Sequence, residues 1–417
     1  MMWPVLPLFR LCRIETGRTP SRVHPEFFGG DNVWVTIADL NDTTISESKE
    51  HVTDDAVAKA RMRPVPAGTV LLSYKLSLGK LGITETSLYT NEAIAALSPQ
   101  PGIDFIPKFL FYALRTVDYL ALCHGAVKGK CLNRASLSLI PVPYPPLSEQ
   151  RRIVEILDQA DALRKKRAEA DAKAACILPA LFYKMFGDPA TNPKGWRIKP
   201  LSDLEAHVRY GLGQPPKTSE TGIALIRATN ISSGTISVIN MIYVDPQDVP
   251  PGRNAFLKED EVIVVRSGAY TGDVAQVTKE WEGCVAGYDL VITPGKCLTG
   301  EFVEAYLLTS FIQKGYFQNL KTRAGQPHLN AAQVVATPFL DVPYELQMRF
   351  SEAVQSMRVL RKKIATANEN LDRAFAVMLH QAFTGDLTSR WREAHIKELL
   401  TEMEQQAKFF AMTKNGV

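Results

Sequence analysis

Two stretches of the chain carry apolar residues at alternating steps of three and four. The first reads Ile153, Ile156, Ala160, Leu163, Arg167, Ala170, Ala174, Ile177, Leu181 and Lys184. The second reads Phe350, Ala353, Met357, Leu360, Ile364, Ala367, Leu371, Ala374, Met378 and Gln381. A 3.5-residue period held this long predicts two helices, each packed along its length against a partner through a narrow stripe. Pro145, Pro146 and Pro343 stop what precedes the helices, and Ser148 is placed to cap the first. Each helix should run about 38 residues, roughly 55 Å at ~1.5 Å per residue. Pro179 has no N–H and predicts a kink late in the first helix. Arg167 occupies the stripe where the second helix has Ile364, so its guanidinium should reach water or a carboxylate.

The polar flanks of these stripes repeat as well. "LNRASLSLIPVPYPPLSEQRRI" (132–153) and "LNAAQVVATPFLDVPYELQMRF" (329–350) match at a constant offset of 197. Leu132-Asn133, Pro141, Pro146, Gln150 and Arg152 pair with Leu329-Asn330, Pro338, Pro343, Gln347 and Arg349. The offset holds through Leu163-Arg164-Lys165-Lys166 and Phe186; "GD" at Gly187 and Gly385 slips by one. Upstream the likeness is weaker and drifts. "WVTIADL" (34–40) resembles "LIRATNI" (225–231), "VLLSYKLSLGKLG" (70–82) resembles "IVVRSGAYTGDVA" (263–275), and "FIPKFLFYAL" (105–114) resembles "FVEAYLLTSF" (302–311). Loops have changed length while a scaffold has persisted. The short β-branched runs "GTVLLSYK" and "DEVIVVRSG" read as strands, and the segments around 104–122 and 300–320 as single late helices.

The fold class expected is therefore α+β: two mixed α/β domains separated by two long antiparallel coiled-coil helices, as a pseudo-twofold internal repeat. The domains fall at 1–146 and 188–342, the helices at 147–187 and 343–386, and a C-terminal amphipathic helical tail at 387–417. In the tail Trp391, Ile396, Leu399, Met403 and Phe410 share a helical face, with no counterpart after the first repeat. It can close against the N-terminal domain, dock a partner, or pack on the long helices.

Composition changes this picture little. The 417 residues are 46% hydrophobic, with a net charge of +4, which permits nucleic acid as a partner without requiring it. The six cysteines show no metal-ligand spacing and read as reduced thiols of a cytoplasmic protein. No stretch of eighteen apolar residues suggests a membrane span.

Catalytic signatures are missing. No Gly-Lys pair completes a phosphate-binding loop, no dinucleotide fingerprint follows a strand, and the seven histidines are scattered. The chain reads as a binding protein with no catalytic, metal-binding or cofactor-binding residues of its own. The last loop of each domain is basic: "HGAVKGKCLNR" carries Lys128, Lys130 and Arg134, and "LKTRAGQPHLN" carries Arg323, Gln326 and His328. The early turns match in kind, with Arg18 and Arg22 in "TGRTPSR" and Gln214 and Lys217 in "YGLGQPPK". Lys75, Arg227, Arg266 and Tyr270 complete the candidates for DNA contact. Cations mixed with amides on flexible loops suit phosphate contact and base-edge reading. Yet 189–340 holds 14 Lys+Arg and 14 Asp+Glu, so affinity from that domain alone should be modest.

The doubled phrase leading into long helices, above all "PVPYPPLSEQRRIVEILDQADALRKK", together with "TGRTPSR" and "FTGDL", resembles the specificity subunits of type I restriction–modification systems. The second phrase departs from that pattern at "PYELQMRF". The resemblance implies two target-recognition domains, each reading half of a split sequence in double-stranded DNA, with the helices setting the gap. It also implies two methyltransferase subunits holding S-adenosylmethionine, and motor–nuclease subunits using ATP and Mg. A rival reading keeps the repeat but makes the chain a non-catalytic coiled-coil scaffold with two protein-binding domains.

Overall fold

The computed structural model describes residues 3–122, 132–250, 252, 254–321 and 328–414. The chain divides into two compact units, one of 1–167 with 368–417, the other of 168–367. Each unit holds a domain and segments of both long helices.

The first unit is built on a five-stranded sheet in the order Cys12–Thr16, Ile94–Pro99, Val70–Ser73, Leu81–Thr84, Thr43–Ile45. The second has a sheet in the order His207–Tyr210, Leu290–Thr293, Val262–Val264, Val274–Gln276. The first four strands of each sheet correspond and are antiparallel throughout. Beside each lies a smaller sheet with one parallel pair, Trp34 against Tyr89 in one unit and Leu225 against Val285 in the other. The strand before each parallel pair's crossover runs into a one-turn helix closed the same way: Asp39 Oδ2 accepts from Thr36 N at 2.8 Å, and Asn230 Oδ1 from Arg227 N at 3.2 Å. The weak match of "WVTIADL" with "LIRATNI" is thus structural.

The doubled phrase forms the same parts twice. Asn133 and Asn330 cap short helices by accepting from the backbone N–H of Ser136 at 2.7 Å and of Gln333 at 2.9 Å. Strand Pro141–Pro143 pairs with Val5–Pro7, and Pro338–Asp341 with Arg197–Pro200. Gln150 and Gln347 are buried to 0% and 1% exposure. Gln150 Oε1 accepts from Ile106 N at 3.0 Å, and its Nε2 donates to Pro145 O at 2.9 Å. Gln347 Oε1 accepts from Thr299 N at 3.1 Å, and its Nε2 donates to Val342 O at 2.9 Å and Cys297 O at 3.0 Å. Ile106 and Thr299 precede the late helices Pro107–Leu114 and Gly300–Leu307. Those equivalences correct the sequence pairing of Phe105 with Phe302 by about one helical turn. The late helices are also shorter than expected. The second gives way after Leu307 to a π-helical turn, Phe311–Phe317.

The first long helix runs Leu147–Ala175 and, after a break at Cys176, Ile177–Phe186; the second runs Tyr344–Thr384 unbroken. The break falls three residues before Pro179, where the missing N–H interrupts the ladder. Ser148 is not the cap: it lies inside the first turn, and its own N–H donates to Glu402 at 3.2 Å. Gly187 and Gly385 end the helices at φ +85° and +90°, a left-handed closure that disfavours any residue with a Cβ.

Through the middle of the helices the stripe differs from the expected one at every second step. Leu163, Ile177 and Leu360 are 59%, 49% and 47% exposed. The protected positions are Ile153, Leu157, Ala160, Arg164, Arg167, Asp171, Ala174, Leu178, Leu181 and Met185 in the first helix. In the second they are Phe350, Val354, Met357, Arg361, Ile364, Asn368, Leu371, Phe375, Met378 and Ala382. The two sets still differ by 197, so the repeat persists while its centre is polar. In the first unit Arg164 Nε donates to Asp372 at 2.7 Å, and its guanidinium lies 4.6 Å from the Phe375 ring centre. Arg167 Nε donates to an amide, Asn368 Oδ1, at 3.2 Å. In the second unit Phe182 and Phe186 lie 5.8 and 5.4 Å from Phe350.

The tail packs on the first unit. It forms Ser389–Ala394 and Ile396–Lys414, interrupted where Trp391 stacks on His395 at 4.4 Å. Leu399 is buried, and Phe410 lies 5.8 Å from Tyr144 with Arg10 over it at 5.7 Å. Glu149, 1% exposed, accepts from Trp3 Nε1 at 2.8 Å, Thr388 Oγ1 at 2.6 Å and Arg392 Nε at 2.8 Å. Leu346 stands at this position in the second phrase, and that departure now has a cause: only the first copy anchors a tail.

Removing a buried amide that satisfies two or three backbone groups leaves those groups unpaired. Gln347→Ala should therefore destabilise the protein by about 2–4 kcal/mol in urea denaturation, whereas exposed Arg349→Ala should stay within ~0.5 kcal/mol. Equal effects would remove the amide from this role.

Candidate nucleic-acid interface

The second unit gathers polar and aromatic groups where strand Val262–Val264 ends. The chain continues through Val265 to Arg266 and turns back at Gly268 and Gly272, at φ +87° and +93°. Thr271 Oγ1 donates to Gly268 O at 2.6 Å, and Gly272 N to Val265 O at 2.8 Å. Gln313, on the π-helical turn, holds the loop from outside by donating to Gly272 O at 2.8 Å. π-helical turns recur at functional sites because they re-aim single side chains.

Arg266 lies in a sandwich. Its guanidinium carbon is 4.8 Å from the Tyr210 ring centre and 4.3 Å from that of Tyr288. Its Nη2 lies 3.0 Å from His328 Nε2. A guanidinium has donors only, so Nε2 accepts and the ring proton rests on Nδ1. The Arg266 backbone is fixed too: its N–H donates to Asp289 Oδ1 at 3.2 Å, and its carbonyl accepts from Leu329 N at 2.8 Å. Tyr210, Tyr270 and Tyr288 are 41%, 49% and 49% exposed, which leaves an aromatic rim open to solvent.

Asp289 organises this cluster from below. It is 2% exposed and also accepts from the backbone N–H of Ala228, so one carboxylate joins the segments bearing Arg227 and Arg266. Burial pushes its pKa up to about 6, against the pull of those two N–H groups and of the Arg266 charge. Arg227 is braced separately, its Nη2 donating to Asn240 O at 2.5 Å. Gln214 and Lys217 are exposed on the turn that leaves Tyr210. That turn begins at Gly211, where a Cβ would lie 2.2 Å from Gly287 O.

The first unit repeats the frame with other side chains. Gly17 opens its early turn, and a Cβ there would lie 1.9 Å from Thr90 O. Tyr74 takes the place of Arg266: its carbonyl accepts from Leu132 N at 3.0 Å, and its hydroxyl donates to Glu92 O at 3.0 Å. Lys75 lies over the Tyr74 ring at 5.3 Å. Arg22 pairs with Glu50 at 3.0 Å and covers Phe28 and Trp34 at 5.1 and 5.7 Å. Arg18 Nη1 donates to Ala60 O at 3.2 Å, and Arg134 Nη2 to Ile14 O at 2.9 Å. These two arginines brace backbone, which leaves fewer donors for a ligand. Thr19 donates to Glu92, so the early turn and Tyr74 meet on one residue. Lys128, Lys130, Arg323 and Gln326 lie outside the described residues.

Sequence reasoning singled out Arg227, Arg266, Tyr270 and His328 and missed Tyr210, Tyr288 and Asp289. The signal for the last two was "GYDL", an aromatic–acid pair beside a strand. An acid is easily discounted when basic residues are sought, though the task of Asp289 is to hold backbone.

A family model described as the type I restriction modification DNA specificity domain matches residues 3–170. The chain is 24% identical over 379 residues to the type I restriction enzyme MjaIX specificity subunit of Methanocaldococcus jannaschii, covering 85% of this chain and 86% of that one. It is 23% identical over 282 residues to the EcoKI specificity subunit of Escherichia coli K12, covering 63% and 61%. Among solved structures it is similar to the S subunit of a type I restriction–modification system from M. genitalium, with a TM-score of 0.55, 13% identity, and 91% and 96% of the chains covered. A chain from a structural study of assembly and conformational transition of the type I R-M system matches with a TM-score of 0.58, 17% identity, and 93% and 98% covered. At these identities the structural likeness is one of fold.

Because the folded pKa of Asp289 is raised above its ordinary value, its contribution to stability is fully present below about pH 4 and is lost as pH rises through about 6. Unfolding free energies from urea denaturation between pH 4.5 and 7.5 should therefore fall for the wild type relative to Asp289→Asn, by roughly 1–3 kcal/mol across that window. Parallel profiles would show that Asp289 is not held in this way.

Proposed function

The chain is a relative of the type I restriction enzyme specificity subunits, and we propose that it is the DNA-specificity subunit of a type I restriction–modification complex in the cytoplasm. Each domain binds one half of a bipartite target in double-stranded DNA. The two long helices pair antiparallel as a coiled coil, set the distance between the halves, and dock two methyltransferase subunits. Those subunits hold S-adenosylmethionine and modify adenines, and motor–nuclease subunits add cleavage with ATP and Mg. The chain itself is not an enzyme.

The observation that carries this reading is the duplicated frame. Each unit has the same antiparallel sheet, and the same buried glutamine fixes that unit's long helix to it. The two helices also share one protected stripe at an offset of 197. Two equivalent domains on a shared ruler suit a duplex whose own strands are related by a twofold axis.

Co-expression with the methyltransferase subunit of its own system, followed by mapping of methylated adenines, should give a bipartite motif with a gap of fixed length. Inserting seven residues, two helical turns, into both long helices should lengthen the gap and spare both halves of the motif. An unchanged gap would falsify the ruler. Methylation without sequence preference, or a chain that binds proteins but not DNA, would favour the scaffold reading instead.

A further inference from the structure

Resting on the reading above, we propose that Arg266 reads a guanine in the half-site bound by the second unit. A guanidinium offers only donors, in a planar fork. In the major groove guanine presents two acceptors, O6 and N7. Adenine presents one acceptor beside a donor, thymine one acceptor beside a methyl group, and cytosine a donor. Guanine is therefore the one base edge whose paired groups both suit the fork.

Three features favour a base edge over a phosphate. First, the fork is immobilised. Tyr210 and Tyr288 flank it, His328 holds Nη2, and both polar groups of its backbone are bonded. A fixed fork is suited to two acceptors at fixed spacing, as guanine O6 and N7 present them. Second, no carboxylate consumes it. Arg209, Arg358 and Arg392 are ion-paired with Glu261, Glu304 and Glu149, whereas Arg266 forms no ion pair among the described residues. The nearby acid, Asp289, takes the backbone N–H instead. Third, the rim is flat and aromatic. Exposed Tyr210, Tyr270 and Tyr288 suit the edges and methyl groups of stacked bases better than a hydrated phosphate row. His328 Nδ1–H adds a second donor beside the fork.

The test uses the chain in complex with its methyltransferase subunit and a library of duplexes randomised across both half-sites. Bound duplexes are sequenced for the wild type, Arg266→Ala and Arg266→Gln. The wild type should select a bipartite sequence with a G in one half. In Arg266→Ala the preference at that G should fall roughly tenfold or more, with every other position unchanged. In Arg266→Gln it should move toward A, because a carboxamide pairs with the acceptor and donor of adenine. The other half-site is the internal control for folding. Uniform weakening of all sequences with a shallower salt dependence would make Arg266 a phosphate contact and overturn the assignment. So would a consensus unaltered in both variants, or loss of both half-sites together. A wild-type complex that selects no bipartite sequence overturns the broader reading, and this assignment with it.

Discussion

The amide groups of Gln150 and Gln347 set the geometry on which each unit depends. A carboxamide can accept and donate at once, so a single buried side chain can bind both a free N–H and a free C=O. Here the N–H belongs to the residue before the late helix and the C=O to the residue five before the glutamine itself. A hydrophobic residue in the same place would strand both groups in a dry environment, at about 1–3 kcal/mol each. An acid could not donate, and a lysine could not accept. The late helix, the end of the phrase and the root of the long helix are therefore fixed together. This explains why glutamine recurs in two phrases that otherwise differ at most positions.

Beyond the glutamine, each long helix is held by polar bonds to its domain and by apolar ends. In the first unit Asp158 accepts from Lys108 Nζ at 2.7 Å and from the Tyr112 hydroxyl at 2.9 Å. In the second, Arg358 reaches Glu304 at 2.8 Å and Gln276 at 2.5 Å, and Gln276 N–H returns to Glu304 at 2.7 Å. Burial raises the Glu304 pKa while Arg358 opposes it, the signature of a pair whose partner must stay in place. The middle of the stripe is different in kind. Arg164, Arg167 and Asp171 in one helix, and Arg361 and Asn368 in the other, add little hydrophobic energy. Polar groups at such positions fix register better than they stabilise.

That centre also marks where the sequence stops being legible. The helices, their shared offset, the break near Pro179 and the strands Val70–Ser73 and Val262–Val264 were readable from periodicity and turn residues. The stripe's alternate positions were not. A search for apolar residues prefers Leu163, Ala170 and Ile177 over Arg164, Asp171 and Leu178, and so selects the solvent side at alternate steps through the middle of the helix. Ser148 misled for a related reason: the cap preference is real, but the helix had already started at Leu147. At the candidate interface, basic residues were visible one by one. The tyrosines that flank Arg266 come from 210 and 288, and only the pairing of His207–Tyr210 with Leu290–Thr293 brings those ends together.

Counting charge misjudges such a surface in a specific way. The span 189–340 is neutral by count, which argues for weak attraction to a polyanion. Yet its arginines are not equivalent. Arg209 is locked to Glu261, which is buried at 2% exposure, and serves to join the strand edge to Thr293 and the backbone at Asn254 and Phe256. Its charge is cancelled locally and never reaches a ligand. Arg266 keeps its charge but not its freedom. A domain so arranged gives up the long-range pull that raises affinity for every sequence alike. It retains a few donors at fixed positions, the kind of group that separates one sequence from another. Under the proposed function, affinity would then come from elsewhere, from the other domain on the same duplex and from the proposed partner subunits, since tethered sites multiply rather than add. Neutral composition and a sharply defined fork are then consequences of the same division of labour.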